Sequence, residues 1–268
     1  MIDSLTHWTK YVLQPAYRAK TDLRKELERI RSAPRHTPLS SHLLGFPMHI
    51  VDGASFASCF DEIFGRGIYA FTSETDAPVI VDGGANVGVS VLYFKRMFPR
   101  SRVTAFEADP RIFTTLQANV RSAGFDDVEL INKALWTSDG EIEFWSEGGA
   151  SGRIPRGGTP TDRVRVPTAR LRKYLEQPID LLKLDIEGAE TDVLLDCADL
   201  LRNVQRLFVE YHSFAGEEQR LDVLLALMRN EGFRVYIQTE VCPLKPFVAA
   251  TTYQGMDLQL NVFGRRVA

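Results

Sequence analysis

The residues best suited to chemistry in this chain are carboxylates and one histidine that recur at the ends of short apolar runs. Asp82 follows Val79, Ile80 and Val81; Glu107 follows Val103 to Phe106; Asp185, Glu187 and Glu190 follow the run from Ile179; Glu210 and His212 close RLFVEYH. If these runs are neighbouring strands of an open α/β sheet, their carboxyl ends share the edge at which such sheets bind ligands. Clustered acids raise one another's pKa and destabilise a fold, so a grouping of this kind points to a site. An imidazole among them titrates near neutrality and is suited to taking a proton, with Asp185 orienting it or contacting a cofactor. His212, Asp185, Glu187 and Glu210 are therefore the candidate catalytic residues.

The elements that must position these groups are clearest between Pro78 and Asp109. The order there is a buried strand (Val79 to Val81), a glycine turn (Asp82 to Gly88), a helix from about Val89 to Phe98, and a second strand (Val103 to Phe106) ending on Glu107. Gly83, Gly84 and Gly88 let backbone pass close to a ligand, and the following helix aims free N–H groups at the same space. Glu107, roughly 20 residues on, can accept both hydroxyls of a ribose. The unit suits an adenosine. A dinucleotide site calls for G-x-G-x-x-G around a pyrophosphate, whereas the order here is D-G-G-A-N-V-G, which resembles the first motif of class I methyltransferases, the binders of S-adenosylmethionine. Glu107 serves either cofactor, so an NAD-type nucleotide-dependent oxidoreductase is the alternative, together with a non-catalytic cofactor-binding scaffold.

The remaining pattern is α/β throughout. Residues 1–41 read as an N-terminal helical extension and linker: Trp8, Tyr11 and Tyr17 come first, Leu23, Leu27 and Ile30 share one face of a charged helix, and SAPRHTPLSS follows. That extension packs on the main domain, covers the substrate, or makes a dimer contact. In the domain proper, residues 42–268, Phe56, Phe60, Ile63 and Phe64 have helical spacing, with Glu62 and Tyr69 close to the nucleotide unit in sequence. Asp109 and Pro110 start a helix whose face is Ile112, Phe113, Leu116 and Val120. A third strand is expected over Val128 to Leu135, then a hairpin through Asp139 and Gly140 into EIEFW, with Val164 to Pro167 pairing back onto it. Residues 147–163 have too few apolar groups to pack and read as a long mobile loop, either a lid or simple disorder. Strands over 179–185 and 206–212, a helix over GEEQRLDVLLALMRNEG with Leu221, Leu224, Leu225 and Met228 on one side and a stop at Gly232, and the pair FRVYIQ and LQLNVFGR complete the chain.

Together DGGANVGVS, EADP, KLDIEGAE and VEYHSF, with the lead-in EIFGRGIY, resemble the FkbM family of S-adenosylmethionine-dependent methyltransferases over about Gly45 to Val235. The resemblance implies a Rossmann-like class I methyltransferase: a mostly parallel seven-stranded sheet with the last strand antiparallel, helices on both faces, and here an N-terminal helical extension. It implies O-methylation of a hydroxyl on a sugar, polyketide or other secondary metabolite. By similarity, Asp82, Gly84, Asn86, Gly88 and Ser90 surround the methionine portion of the cofactor, Glu107 the ribose, and Ala134 with its neighbours the adenine. Gly83, Ala108 and Asp185 complete the cofactor set. A Mg²⁺ ion between Asp185 and Glu210, as in catechol-type O-methyltransferases, is the alternative to a His212 base. His212 is a poor magnesium ligand and Ile186 rather than a further ligand follows Asp185, so no metal is assigned. The first 40 residues match nothing in the family.

Composition narrows the rest. The 268-residue chain is 44% hydrophobic and 25% charged, ordinary for a globular protein, and its net charge of −3 argues against nucleic acid as a partner. Cys59, Cys197 and Cys242 are odd in number and lack C-x-x-C spacing, which disfavours disulfides and zinc. Without an apolar run of about 20 residues or a signal-peptide core, a cytoplasmic enzyme with no membrane span is expected. The expected partner is a small-molecule or glycan hydroxyl substrate, and the N-terminal extension is the candidate surface for a homodimer.

Overall fold

The computed structural model describes residues 15–146, 152–153, 163–249 and 251–266. It begins with helix α1 (Pro15–Arg31), the short antiparallel pair β1 (Leu39–Ser41) and β2 (Met48–Ile50), and helix α2 (Gly53–Phe60), which runs on as a π-helical turn over Asp61–Arg66. Strand β3 (Val79–Gly83), helix α3 (Val89–Met97), strand β4 (Arg102–Phe106), helix α4 (Pro110–Ser122) and strand β5 (Glu129–Ile131) follow. Next come β6 (Ala134–Trp136), β7 (Gly140–Ser146), β8 (Gly152–Arg153) and β9 (Arg163–Arg170). The chain closes with β10 (Leu181–Leu184), α5 (Glu190–Asp196), β11 (Arg206–Phe214), α6 (Leu221–Asn230), β12 (Phe233–Val241) and β13 (Met256–Arg266).

The central sheet has seven strands in the order β12-β13-β11-β10-β3-β4-β5, with β13 antiparallel to both its neighbours and β11 through β5 parallel. This is the mostly parallel Rossmann-like sheet expected from the sequence. Strand order reverses between β3 and β10, and open α/β sheets bind ligands outside the carboxyl ends at such a switch point. Register places Asp82 beside Lys183 and Gly83 beside Leu184. Successive side chains of a strand point to opposite faces. Ile80 thus joins a cluster with Val103, Leu116 and Phe56, whereas Val81 joins Leu182, Val193 and Met228 on the other face. Leu27 and Ile30 of α1 belong to the first cluster, while Leu23, on the same predicted face, stays 38% exposed. Asp52 pins the linker: its carboxylate caps α2 at Ser55 N (2.9 Å) and accepts from Arg35 Nε (2.9 Å) and His36 N (2.7 Å).

The third strand departs from expectation. Pairing with β4 stops at Ile131, because Asn132 Nδ2 donates to the carbonyls of Glu107 (2.8 Å) and Ala108 (3.1 Å) and turns the chain out of the sheet. Residues 134–136 then enter a second sheet, ordered β6-β9-β7-β8. The expected hairpin through Asp139 and Gly140 is opened by β9, whose Thr168 faces both Ala134 and Gly140. Thr168 Oγ1 donates to Ser138 O at 2.7 Å and holds β9 in that slot. The return of 164–167 onto EIEFW is present, with Val164 opposite Phe144 and Val166 opposite Ile142. The predicted loop 147–163 lies outside the described residues except for 152, 153 and 163, as do Trp8 and Tyr11. No helix among the described residues is long and apolar enough to cross a membrane.

Candidate active site

Strand β3 ends on a buried carboxylate. Asp82 is inaccessible to solvent, which would be costly for an unpaired charge. Lys183 on β10 places Nζ 3.1 Å from Asp82 Oδ1 and donates to the carbonyls of Gly83 (3.2 Å) and Gly84 (2.6 Å), while Ser90 Oγ donates to Asp82 Oδ2 at 2.5 Å. Burial disfavours the Lys183 charge, but Asp82 and Asp185 outweigh it and hold the ammonium above the ordinary lysine range. Gly84 has φ +82°, and a Cβ there would lie 1.8 Å from Asp185 O, so the glycine turn and the turn after β10 touch at backbone level. Gly88 (φ +97°) is the N-cap of α3 and brings no capping side chain, leaving the first-turn N–H groups beside Val89 and Ser90 for a ligand.

The glycine turn is latched to the end of β4. Asn86, itself at φ 49°, donates its N–H to Glu107 Oε2 (2.9 Å), and Asp109 N donates to Glu107 Oε1 (2.8 Å). Burial pushes the Glu107 carboxyl up to about 7, against the pull of these two N–H groups. Ala108 packs in a small cluster with Ala134 and Val166, next to Asn132.

Across from this, β10 ends in a turn with Glu187 at φ 57° and Gly188 at φ 101°. His212 on β11 has a side chain only 1% exposed, with Nδ1 3.1 Å from Glu190 Oε1 and Nε2 3.6 Å from Glu187 Oε2 and 3.9 Å from Glu210 Oε1. Burial works against a charged imidazole, yet Glu187, Glu190 and Glu210 prevail and hold its pKa well above the ordinary histidine range. Glu210, which accepts from Gln259 Nε2, is itself raised well above the carboxylate range by burial and by Asp185. A cavity of about 590 Å³ joins both halves: Gly84, Asn86, Ser90 and Lys183 line it together with Asp185, Glu187, Glu210 and His212. Glu62 and Tyr69 lie in its wall, as do Glu240 of β12 and Gln259 of β13. Arg66 bridges Glu62 (2.8 Å) and Glu240 (3.3 Å). Cys59 also lines the cavity, where burial pushes its thiol pKa up and keeps it protonated. The ligand atoms of Asp185, Glu187 and His212 lie within 4.8 Å of one another, the one such trio among the described residues.

All four residues picked for catalysis therefore meet in one cavity. Of the cofactor set, Gly84, Asn86, Ser90 and Asp185 reach its wall, Asp82 stands behind Ser90 and Lys183, and Gly83 and Gly88 shape the turn. Glu107, Ala108 and Ala134 sit beyond that wall, along the end of β4. The carboxylate on Nδ1 of the imidazole is that of Glu190, which the turn carries back beneath the ring, while Asp185 lies 3.5 Å from Lys183 Nζ. Lys183 escaped the sequence reading, although a lysine inside the apolar LLKL run was its signal, since lysines are almost never fully buried unless paired. Glu240 and Gln259 carried no local signal.

The model of the Methyltransferase FkbM domain family matches residues 82–235, more than half of the chain and all of the turns just described. This chain belongs to the FkbM methyltransferase family. It is 32% identical over 207 residues to Methyltransferase 1 of Beauveria bassiana, covering 66% of this chain and 80% of that protein. Methyltransferase sdnD of Sordaria araneosa is 29% identical over 216 residues, covering 66% and 81% of the two chains. The 2-O-methyltransferase NoeI of Sinorhizobium fredii is 26% identical over 167 residues, covering 54% and 68%. The enzyme is thus a methyltransferase with a Rossmann-like fold, and its family motifs map onto the two turns that meet in the cavity.

Proposed function

We propose that the protein is an S-adenosylmethionine-dependent O-methyltransferase acting on a hydroxyl of a sugar, polyketide or other secondary metabolite. The observation that carries this reading is the shared cavity, with a glycine turn and an uncapped helix start on one side and a histidine among carboxylates on the other. The donor site fits the residues present. Gly84 leaves backbone where a Cβ has no room, the N–H groups of α3 suit the carboxylate of a methionine moiety, and Glu107 offers both oxygens to ribose hydroxyls. Asp82, Gly83, Gly84, Asn86, Gly88, Ser90 and Asp185 then surround the methionine portion, and Ala108 and Ala134 flank the adenine. The 2-O-methyltransferase among the relatives supports oxygen as the acceptor atom.

Bound S-adenosylmethionine supplies an electrophilic methyl group, so the protein's work is to hold an acceptor oxygen in line and remove its proton. His212 takes that proton on Nε2, the nitrogen facing Glu187 and Glu210, and a positioned base of this kind contributes roughly 10²- to 10⁴-fold. Glu187 and Glu210 stabilise the resulting imidazolium. Titration calorimetry separates the cofactor classes: S-adenosylhomocysteine binds and NAD does not, and the reverse pattern would overturn the proposal. A second reading places a divalent cation on Asp185, Glu187 and His212, whose ligand atoms already lie within 4.8 Å of one another. Methyl transfer that survives exhaustive chelation rejects it.

A further inference from the structure

We propose that Glu190 is a positioning residue for the reaction, holding both the imidazole of His212 and the turn that carries Glu187. The inference rests on the reading of His212 as proton acceptor. Glu190 opens helix α5 and is 1% exposed, yet its carboxylate turns back over the preceding residues instead of outward to solvent. Its Oε1 accepts from Ile186 N (3.0 Å) and Gly188 N (3.0 Å), and Oε2 accepts from Gly188 N (3.1 Å). These bonds hold a backbone that is unfavourable in isolation, because Glu187 occupies the left-handed region at φ 57°. That conformation places Glu187 Oε2 3.6 Å from His212 Nε2. The same Oε1 meets His212 Nδ1 at 3.1 Å, across 22 residues of sequence.

One carboxylate thus fixes two things. As an acceptor it keeps the proton of a neutral imidazole on Nδ1, which leaves the Nε2 lone pair turned to the cavity, where an acceptor hydroxyl would stand. As a turn cap it sets the backbone that aims Glu187 at that same nitrogen. A capping carboxylate alone needs only the two N–H groups of the turn. The third bond, to a side chain on another strand, is what a purely structural cap does not require. The groups facing His212 are Asp185, Glu187 and Glu190 from the turn and α5, Glu210 from β11 itself, the ring of Phe214 at 6.4 Å, and uncharged Gln259 opposite on β13. Glu190 is the one that hydrogen-bonds Nδ1.

The test compares Glu190→Gln with Glu190→Ala. Glutamine retains an oxygen for Ile186 N and Gly188 N but replaces the carboxylate with an amide that can also donate to Nδ1. Alanine removes the cap altogether. For Glu190→Gln, turnover should fall by about 10- to 100-fold with the KM for S-adenosylmethionine little changed, since misorientation of a catalytic group carries a penalty of this order. In ¹⁵N-edited NMR of the substrate-free protein at alkaline pH, wild type should show the His212 proton on Nδ1, and the glutamine variant a mixture of the two tautomers. Glu190→Ala should show the same spectral change together with a lowered melting temperature. The proposal is overturned if Glu190→Gln keeps wild-type turnover, or if His212 retains the Nδ1–H signature in both variants. If the tautomer moves as expected while wild type methylates no hydroxyl, the positioning role stands and the base assignment of His212 fails.

Discussion

Replacing Lys183 with methionine isolates the contact between the two halves of the site. The side chain keeps its length and loses its charge, while Asp82 remains fully buried with Ser90 Oγ as its remaining close donor. Removing one partner of a buried ion pair costs about 3–5 kcal/mol, because the other charge is left uncompensated. The 3.1 Å pair and the two carbonyl contacts at 3.2 and 2.6 Å are all lost, so the upper half of that range is expected. For domains of 150–250 residues each kcal/mol shifts the midpoint by about 2–4 °C, giving a fall of roughly 8–20 °C. Urea denaturation followed by circular dichroism, with a parallel thermal scan at pH 7, measures it. The double variant Asp82→Asn/Lys183→Met removes both charges of the pair and should be more stable than Lys183→Met alone. A Lys183→Met protein within about 1 kcal/mol of wild type, below the range for any broken buried pair, would refute the reasoning. So would a double variant in which the two losses simply add.

Glu107 has a folded pKa of about 7, above its ordinary value of 4.5, so its contribution to stability is complete below 4.5 and is lost as pH rises through 7. The loss is on the order of 3 kcal/mol at most. Glu107→Gln should therefore gain stability relative to wild type between pH 5 and 8 in paired denaturation curves, and bind S-adenosylhomocysteine about 10- to 100-fold more weakly, as expected for lost hydrogen bonds to a charged group. Gly84→Ala combines φ +82° with a Cβ 1.8 Å from Asp185 O, so it should cost more than about 2 kcal/mol in the same assay. His212→Ala should lower turnover about 10²- to 10⁴-fold with S-adenosylhomocysteine affinity retained. In wild type, kcat/KM should climb with pH through the raised pKa of His212, since only the neutral imidazole can take a proton; a flat profile would exclude it as the base.

Much of this architecture was legible because it rests on local rules. The apolar run before Asp82, the glycines at 83, 84 and 88, and the Asp109–Pro110 helix start each carry their own backbone signal, and the structure has β3, the turn and α4 in those places. The carboxylates at strand ends converge because parallel strands share a direction. What escaped depends on partners distant in sequence. The third strand breaks at Asn132 through contacts to Glu107 and Ala108, and β9 enters the second sheet between β6 and β7 by long-range pairing. Lys183 is intelligible only beside Asp82, 101 residues away, and Glu190 only beside His212. The π-helical turn over Asp61–Arg66, which places Glu62 in the cavity wall, left no mark in the spacing of Phe60, Ile63 and Phe64.

The most direct test of the account is to incubate the protein with S-adenosylmethionine carrying ¹³C in its methyl group and a panel of hydroxylated sugars and polyketides, then to examine the products by NMR. Label in an O–CH₃ resonance, lost with His212→Ala, is the predicted result. Label confined to nitrogen or carbon would contradict it, as would the absence of transfer to any hydroxyl while S-adenosylhomocysteine binds.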